Sequence, residues 1–251
     1  MNIFKKMFSA KKRGVKINLA YPIKWEMMSF QDYREVCKIL SIQGIDRERA
    51  LFLCLCALAH IRPDNPAKYD PREIKGKMPF IIDGKSYVIG AKTISEACND
   101  LAYIYDEIGL PPCPLERIDD TLYDVPFDVF YTADSFILRY QASQEKNNAW
   151  LKDAVKALTG GRKRKLEAWE RVAVVIWWNG VKQKLSEMYP YVLKGGSGVS
   201  DKTQAEILRD LLSTLNDNHP QDNEKILKAD THSVLKALNN IYQNAQQKVS
   251  H

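Results

Sequence analysis

The sequence predicts a mainly α protein, a multi-helix bundle with one β-hairpin near residues 79–90. Three observations carry this expectation. Apolar residues recur three and four apart along most of the chain, the period of one helix face. Gly and Pro punctuate those periodic stretches, at Gly44, Pro63, Pro111, Pro112, Pro114 and Gly160-Gly161 among others. Only one stretch, MPFIIDGKSYVIG from Met78, sets β-favouring runs on both sides of an Asp-Gly turn.

Residues 1–16 are expected to form a basic N-terminal tail. Ile3, Phe4, Met7 and Phe8 stand among Lys5, Lys6, Lys11, Lys12, Arg13 and Lys16, with no acid between them. Such a stretch reads first as a loosely ordered, solubilising start. The alternative is a short basic amphipathic helix touching membrane, nucleic acid or an acidic surface. The apolar stretch 15–28 is broken by Pro22 and reads as extended chain covering the core. Ser29, with Asp32 three residues on, is a helix cap. Phe30, Tyr33, Val36, Cys37 and Leu40 give that helix one buried face before Gly44 ends it. A second helix over 46–61 is apolar on nearly every side, hence buried, and Pro63 stops it. The two make a helical hairpin. After a loop rich in Pro, Lys and Asp comes the β-hairpin. It has to lie against helices or pair with another chain, because an isolated hairpin is barely stable. A third helix is expected over 93–108, opened by a capping box from Thr93 to Glu96. The prolines after it set a boundary near residue 115, dividing 17–114 from 115–251.

The second region reads as helices over 127–142, 147–158, 201–215, 223–228 and 231–247, arranged around a central helix over 166–189. In that helix Leu166, Trp169, Ala173, Ile176, Trp177, Val181, Leu185 and Met188 share a face. Val172, Val174, Val175 and Trp178 widen it almost to the full circumference. A helix apolar nearly all round belongs in the middle of other helices. Its unbroken apolar run, from Val172 to Trp178, is seven residues. A membrane span needs roughly 20, so no transmembrane segment is expected. The run Lys194-Gly195-Gly196-Ser197-Gly198 is flexible by composition.

The net charge of +6 is concentrated at the start of the chain. Without the six bases of residues 1–16, 31 of the 37 Lys and Arg remain to face 31 Asp and Glu. A neutral body argues against a protein that binds nucleic acid over its whole surface. The second basic cluster, Arg162, Lys163, Arg164 and Lys165, precedes the central helix, at an end where the helix dipole disfavours cations. It reads as a solvated turn, or as a contact for phosphate or an acidic partner. The candidate contact residues are therefore Lys5, Lys6, Lys11, Lys12, Arg13, Lys16, Arg162, Lys163, Arg164 and Lys165. The five cysteines are odd in number and mostly set in apolar helical patterns, as reduced thiols in a cytosol-like compartment would be. The N-terminus has no apolar run of signal-peptide length.

Catalytic and cofactor motifs are missing. No HExxH, GxxxxGK[ST], GxSxG or strand-GxGxxG-helix pattern occurs. Cys54 and Cys56 lack the spacing of a zinc knuckle. Cys56 and His60 could share a helix face, but two ligands do not make a zinc site. No cofactor, metal or enzymatic activity is expected from these residues, although a site assembled from distant side chains leaves no trace in sequence.

Two runs carry a resemblance. One is Trp177-Trp178-Asn179-Gly180-Val181-Lys182 followed by Leu185, Tyr189 and Pro190. The other is Ile226-Leu227-Lys228-Ala229-Asp230-Thr231-His232 leading to Leu235, Leu238 and Asn239. Together they resemble proteins of bacteriophages and prophages encoded among tail genes, often regarded as tail-assembly chaperones. The resemblance covers roughly the C-terminal half. It implies a helical, non-enzymatic morphogenesis protein of the host cytoplasm or the virion, acting by binding another polypeptide such as the tape-measure protein. It carries over no functional residue. The alternatives from the residues alone are a nucleic-acid or membrane-surface adaptor using residues 1–16 and 162–165, and an enzyme with a dispersed site. The oligomeric state is open.

Overall fold

A computed structural model describes residues 5–12, 15–64, 76–116, 118–143, 147–162, 164–193, 204–216 and 219–249. The chain is mainly α, as expected, with the β-hairpin in place. It divides into two units, residues 1–114 with 167–177, and residues 115–166 with 178–251. The first break falls at Pro114, within the proline-rich stretch. The helix expected at the centre of the second region is instead divided, its residues from Trp178 onward belonging to the second unit.

The first unit begins with strands β1 (Lys5–Lys12) and β2 (Val15–Pro22), paired antiparallel with Lys12 opposite Val15 and Lys5 opposite Pro22. Residues 5–12 are thus neither a loose tail nor an amphipathic helix. A period-two partner, the extended 15–22 stretch, lies directly downstream and takes up their backbone bonds. After a 3₁₀ turn at Trp25–Met27 come α1 (Phe30–Leu40) and α2 (Arg47–Leu58). Ser29 caps α1 as expected: its Oγ accepts from Asp32 N–H, and Asp32 Oδ2 accepts from Ser29 N–H. Strands β3 (Arg62–Pro63), β4 (Lys77–Ile82) and β5 (Lys85–Gly90) follow. The hairpin turn at Asp83 and Gly84 takes φ of 48° and 71°, the two left-handed residues that a tight Asp-Gly turn requires. The hairpin pairs within its own chain, in a five-stranded sheet of order β2-β1-β5-β4-β3.

Helix α3 (Ala91–Asp100) starts two residues before the expected Thr93, and no side chain caps it. Strand β5 runs to Gly90 and the chain turns straight into the helix, so Thr93 already lies inside the first turn. The expected single helix over 93–108 is broken at Leu101 and Ala102 and resumes only as α4 (Tyr103–Asp106). The core joins Tyr33, Val36 and Cys37 of α1, the nearly fully buried α2, Phe80 and Ile89 of the hairpin, and Trp169 and Ala173 of α7 (Ala168–Met188). Trp25 stands edge-on to Tyr33 and Tyr103, with ring centroids 6.0 and 5.8 Å away. Gly109 meets that tryptophan so closely that a Cβ there would lie 2.9 Å from Trp25 Cβ.

The second unit contains α5 (Phe127–Ala142), α6 (Asn148–Leu158), the C-terminal half of α7, α8 (Pro190–Leu193), α9 (Gln204–Leu215), a 3₁₀ turn at Pro220–Asp222, α10 (Asn223–Lys228) and α11 (Thr231–Val249). Pro190 does more than stop α7: it takes the first position of α8, where its missing N–H costs nothing. The tryptophan-rich run is clasped to α5. Trp178 Nε1 donates to Asp134 Oδ1 at 2.9 Å, Lys182 Nζ to Asp134 Oδ2 at 2.8 Å, and Gln141 Nε2 to Asn179 Oδ1 at 3.1 Å. Phe130 stacks on the Trp178 ring at 5.6 Å.

Candidate functional site

The sequence-predicted contact residues fall in two places. Lys5, Lys6, Lys11, Lys12 and Lys16 lie in the β1–β2 pair of the first unit, where the register sets Lys11 opposite Lys16. Arg162, Arg164 and Lys165 are exposed in the second unit, ahead of α7. Arg13 and Lys163 lie outside the described residues.

Four of the five thiols are not reactive centres. Burial pushes Cys37, Cys54 and Cys98 up to about 12, and Cys56 higher still. They stay protonated at neutral pH, so they are poor nucleophiles and poor metal ligands. Cys56 and His60 do not share a helix face: α2 ends at Leu58, and His60 is exposed with a left-handed φ of 53°. Among the described residues, no group of three His, Cys, Asp or Glu could hold a metal ion. Nor, among them, is any helix long and apolar enough to cross a membrane.

The polar chemistry of the second unit gathers instead at the start of α11. The segment 229–232 lies alongside residues 121–127. Phe127 N–H donates to Ala229 C=O, Pro126 bridges Asp230, and Thr231 donates to Val125 C=O from both its N–H and its hydroxyl, at 3.0 and 2.6 Å. His232 is 6% exposed. One ring nitrogen, Nε2, lies 2.8 Å from Thr121 C=O, and Nδ1 lies 2.9 Å from the Tyr189 hydroxyl. A carbonyl can only accept, so Nε2 carries the hydrogen. In the neutral ring Nδ1 then accepts from Tyr189. The Tyr123 ring stacks on the imidazole at 4.1 Å and 7°. Asp119 holds the facing loop: its Oδ1 accepts from Thr121 N–H, the Thr121 hydroxyl and Tyr123 N–H. The Thr121 hydroxyl bond, ahead of the backbone bonds, keeps this carboxyl below its usual range. Leu122 and Asp124 are held at φ of 65° and 67°, a conformation that costs energy outside glycine and persists here because the surrounding bonds impose it.

This junction sets the walls of a groove. Asp230 Oδ2 accepts from Ser233 N–H, which fixes the first turn of α11, and Asn216 at the end of α9 donates to Asn223 at the start of α10. Between these helices lies an open cavity of about 380 Å³. Leu215, Ile226, Ala229, Val234 and Ala237 give it an apolar lining, and Asn216, Asp222, Lys225 and Ser233 stand at its polar positions. Ser233 and Ala237, one turn apart on α11, bring small side chains to one side of it, and Ala229 adds a third from the extended residue after α10.

Sequence reasoning missed this arrangement. Tyr189 is 43 residues from His232 and Thr121 is 111 away, so no local pattern links them. The only available signal was the pair of adjacent polar residues, Thr231 and His232, opening an otherwise amphipathic helix. Comparison with protein-family models, curated proteins and solved structures finds no match to this chain.

Proposed function

We propose that this chain is a polypeptide-binding protein without catalytic activity, which accepts an apolar helical segment of its partner in the groove between α9, α10 and α11. The observation that carries the reading is the groove itself, open, mainly apolar, and edged by one acid, one base, one hydroxyl and one amide. That composition suits the apolar stripe of an amphipathic helix, with polar contacts at its margins. Half-exposed apolar side chains elsewhere in the same unit, Leu138, Met188 and Ile241, add contact area of the kind interaction surfaces carry.

The resemblance of the C-terminal half to phage tail-region proteins supplies the context. The partner is a long helical tail protein such as the tape-measure protein, and the role is that of a tail-assembly chaperone in the host cytoplasm or of a virion component. The test places a photo-crosslinking residue at Ala237, which is exposed in the groove, and expresses the chain in phage-infected cells. A tail protein is the expected crosslinked product, and Ala237→Arg should abolish it. Crosslinking to no tail protein, or crosslinking that survives the arginine, overturns the reading.

A further inference from the structure

The groove of the second unit changes character along α10. Asp222, Lys225 and Ile226 lie three and four residues apart, so they share one side of the helix, and all three line the groove. Ala229 follows the helix end, and Val234 enters from the first turn of α11. The lining along α10 therefore runs from acid to base to apolar, and its apolar end is the one next to α11. Asp222 and Lys225 are exposed, and neither has an ion-pair partner among the described residues. The charges around them are committed: Lys228 pairs with Asp128 at 2.8 Å, and Asp230 accepts from Ser233 N–H. Glu224 falls on the opposite side of α10 and does not line the groove.

Size sets how much of a partner can enter. From Asp222 to Ala229 the helical rise covers about 10 Å. A helix with its side chains is itself about 10–12 Å across. A cavity of about 380 Å³ therefore admits side chains from one face of a helix and not the whole cylinder. Rim charges such as Asp222 and Lys225 select a partner and fix its register more than they add affinity. Resting on the helix-in-groove reading, we propose that the partner helix carries on its inserted face an apolar anchor, an acid and a base, each three or four residues from the next. The anchor fills the apolar end, the acid meets Lys225 and the base meets Asp222. Because Lys225 lies between Asp222 and the apolar end, the acid lies between anchor and base whether the partner runs parallel or antiparallel to α10. The opposite order, with the base next to the anchor, sets like charges against each other at both positions and is rejected.

The test uses the full chain and three labelled peptides, read by fluorescence anisotropy. Each is locked as a helix by a covalent bridge on its outer face, so that all three are equally helical. One carries Leu, Glu and Lys in that order, one turn apart. The second exchanges Glu and Lys, and the third has Gln at both positions. The Leu–Glu–Lys peptide should bind about fivefold tighter than the Leu–Lys–Glu peptide, through two exposed ion pairs. The gap should close as salt rises. Lys225→Glu should erase the preference, since each order then makes one attraction and one repulsion, and the Gln peptide should still bind. Equal binding of the two orders, the reverse preference, or a preference that survives Lys225→Glu would overturn the proposal. The groove reading would stand in those cases if the Gln peptide binds and Ala237→Arg releases it. Failure of all three peptides to bind, or binding that Ala237→Arg leaves intact, would overturn both.

Discussion

The His232 junction makes a sharp prediction. His232→Ala removes the hydrogen bonds to Tyr189 and Thr121 and the ring stacked at 4.1 Å under Tyr123. Each bond is worth about 1 kcal/mol net, and the aromatic contact about 1 kcal/mol more. The unit should lose about 3 kcal/mol in total, summed from these contributions. Tyr189→Phe removes only one donor and should cost about 1 kcal/mol. The two substitutions should couple. In the His232→Ala background the Tyr189 hydroxyl has already lost its acceptor, so removing it should cost nothing further. The assay is a double-mutant cycle, with the stability of α11 read from backbone hydrogen exchange so that the second unit is followed by itself. Equal costs for Tyr189→Phe in both backgrounds would show that the two side chains do not communicate. The tautomer assignment and the account of the junction would fall with it.

Other expectations follow from single sites. The depressed Asp119 carboxyl contributes stability above the usual carboxylate pKa of about 4. That contribution is lost as pH falls through the lower folded value. Acid titration should show a loss of stability below about pH 4, and Asp119→Asn should flatten it. Cys37 and Cys54, buried and pushed up to about 12, should resist a thiol reagent at pH 8 in the native protein and react on addition of urea. Gly109→Ala should destabilise the first unit by about 1–3 kcal/mol in urea unfolding, because its Cβ would meet Trp25 at 2.9 Å and Tyr33 and Tyr103 hold that ring in place.

Elements with a local cause could be read from the chain. Ser29 and Asp32 announce α1 because a cap needs only residues three apart, and Asp83-Gly84 announces the hairpin because the turn is its own signal. Elements whose cause is distant could not. Thr93 to Glu96 has the composition of a capping box, but the position of β5, fixed by pairing with β4, starts the helix at Ala91 before the box can act. The stretch KKMFSAKK has no clear period of its own. Its strand character comes from the residues that pair with it. The junction at His232 is the extreme case, since its parts come from the loop after residue 115, the end of α7 and the start of α11.

The tryptophan-rich run has a structural use that bears on where the proposed partner surface can lie. Trp178 and Lys182 both donate to Asp134, Asn179 accepts from Gln141, and Trp177 is fully buried. These bonds fix α7 against α5. A charged pair that is only partly exposed, as Lys182 and Asp134 are, acts as a register pin, because sliding either helix would leave both groups poorly solvated. Aromatic side chains committed in this way cannot also present their faces to another protein. Under the proposed function, partner recognition falls to residues that packing leaves accessible. In this unit the residues that packing leaves accessible include Ser233 and Ala237 of α11, which line the groove together with Ala229.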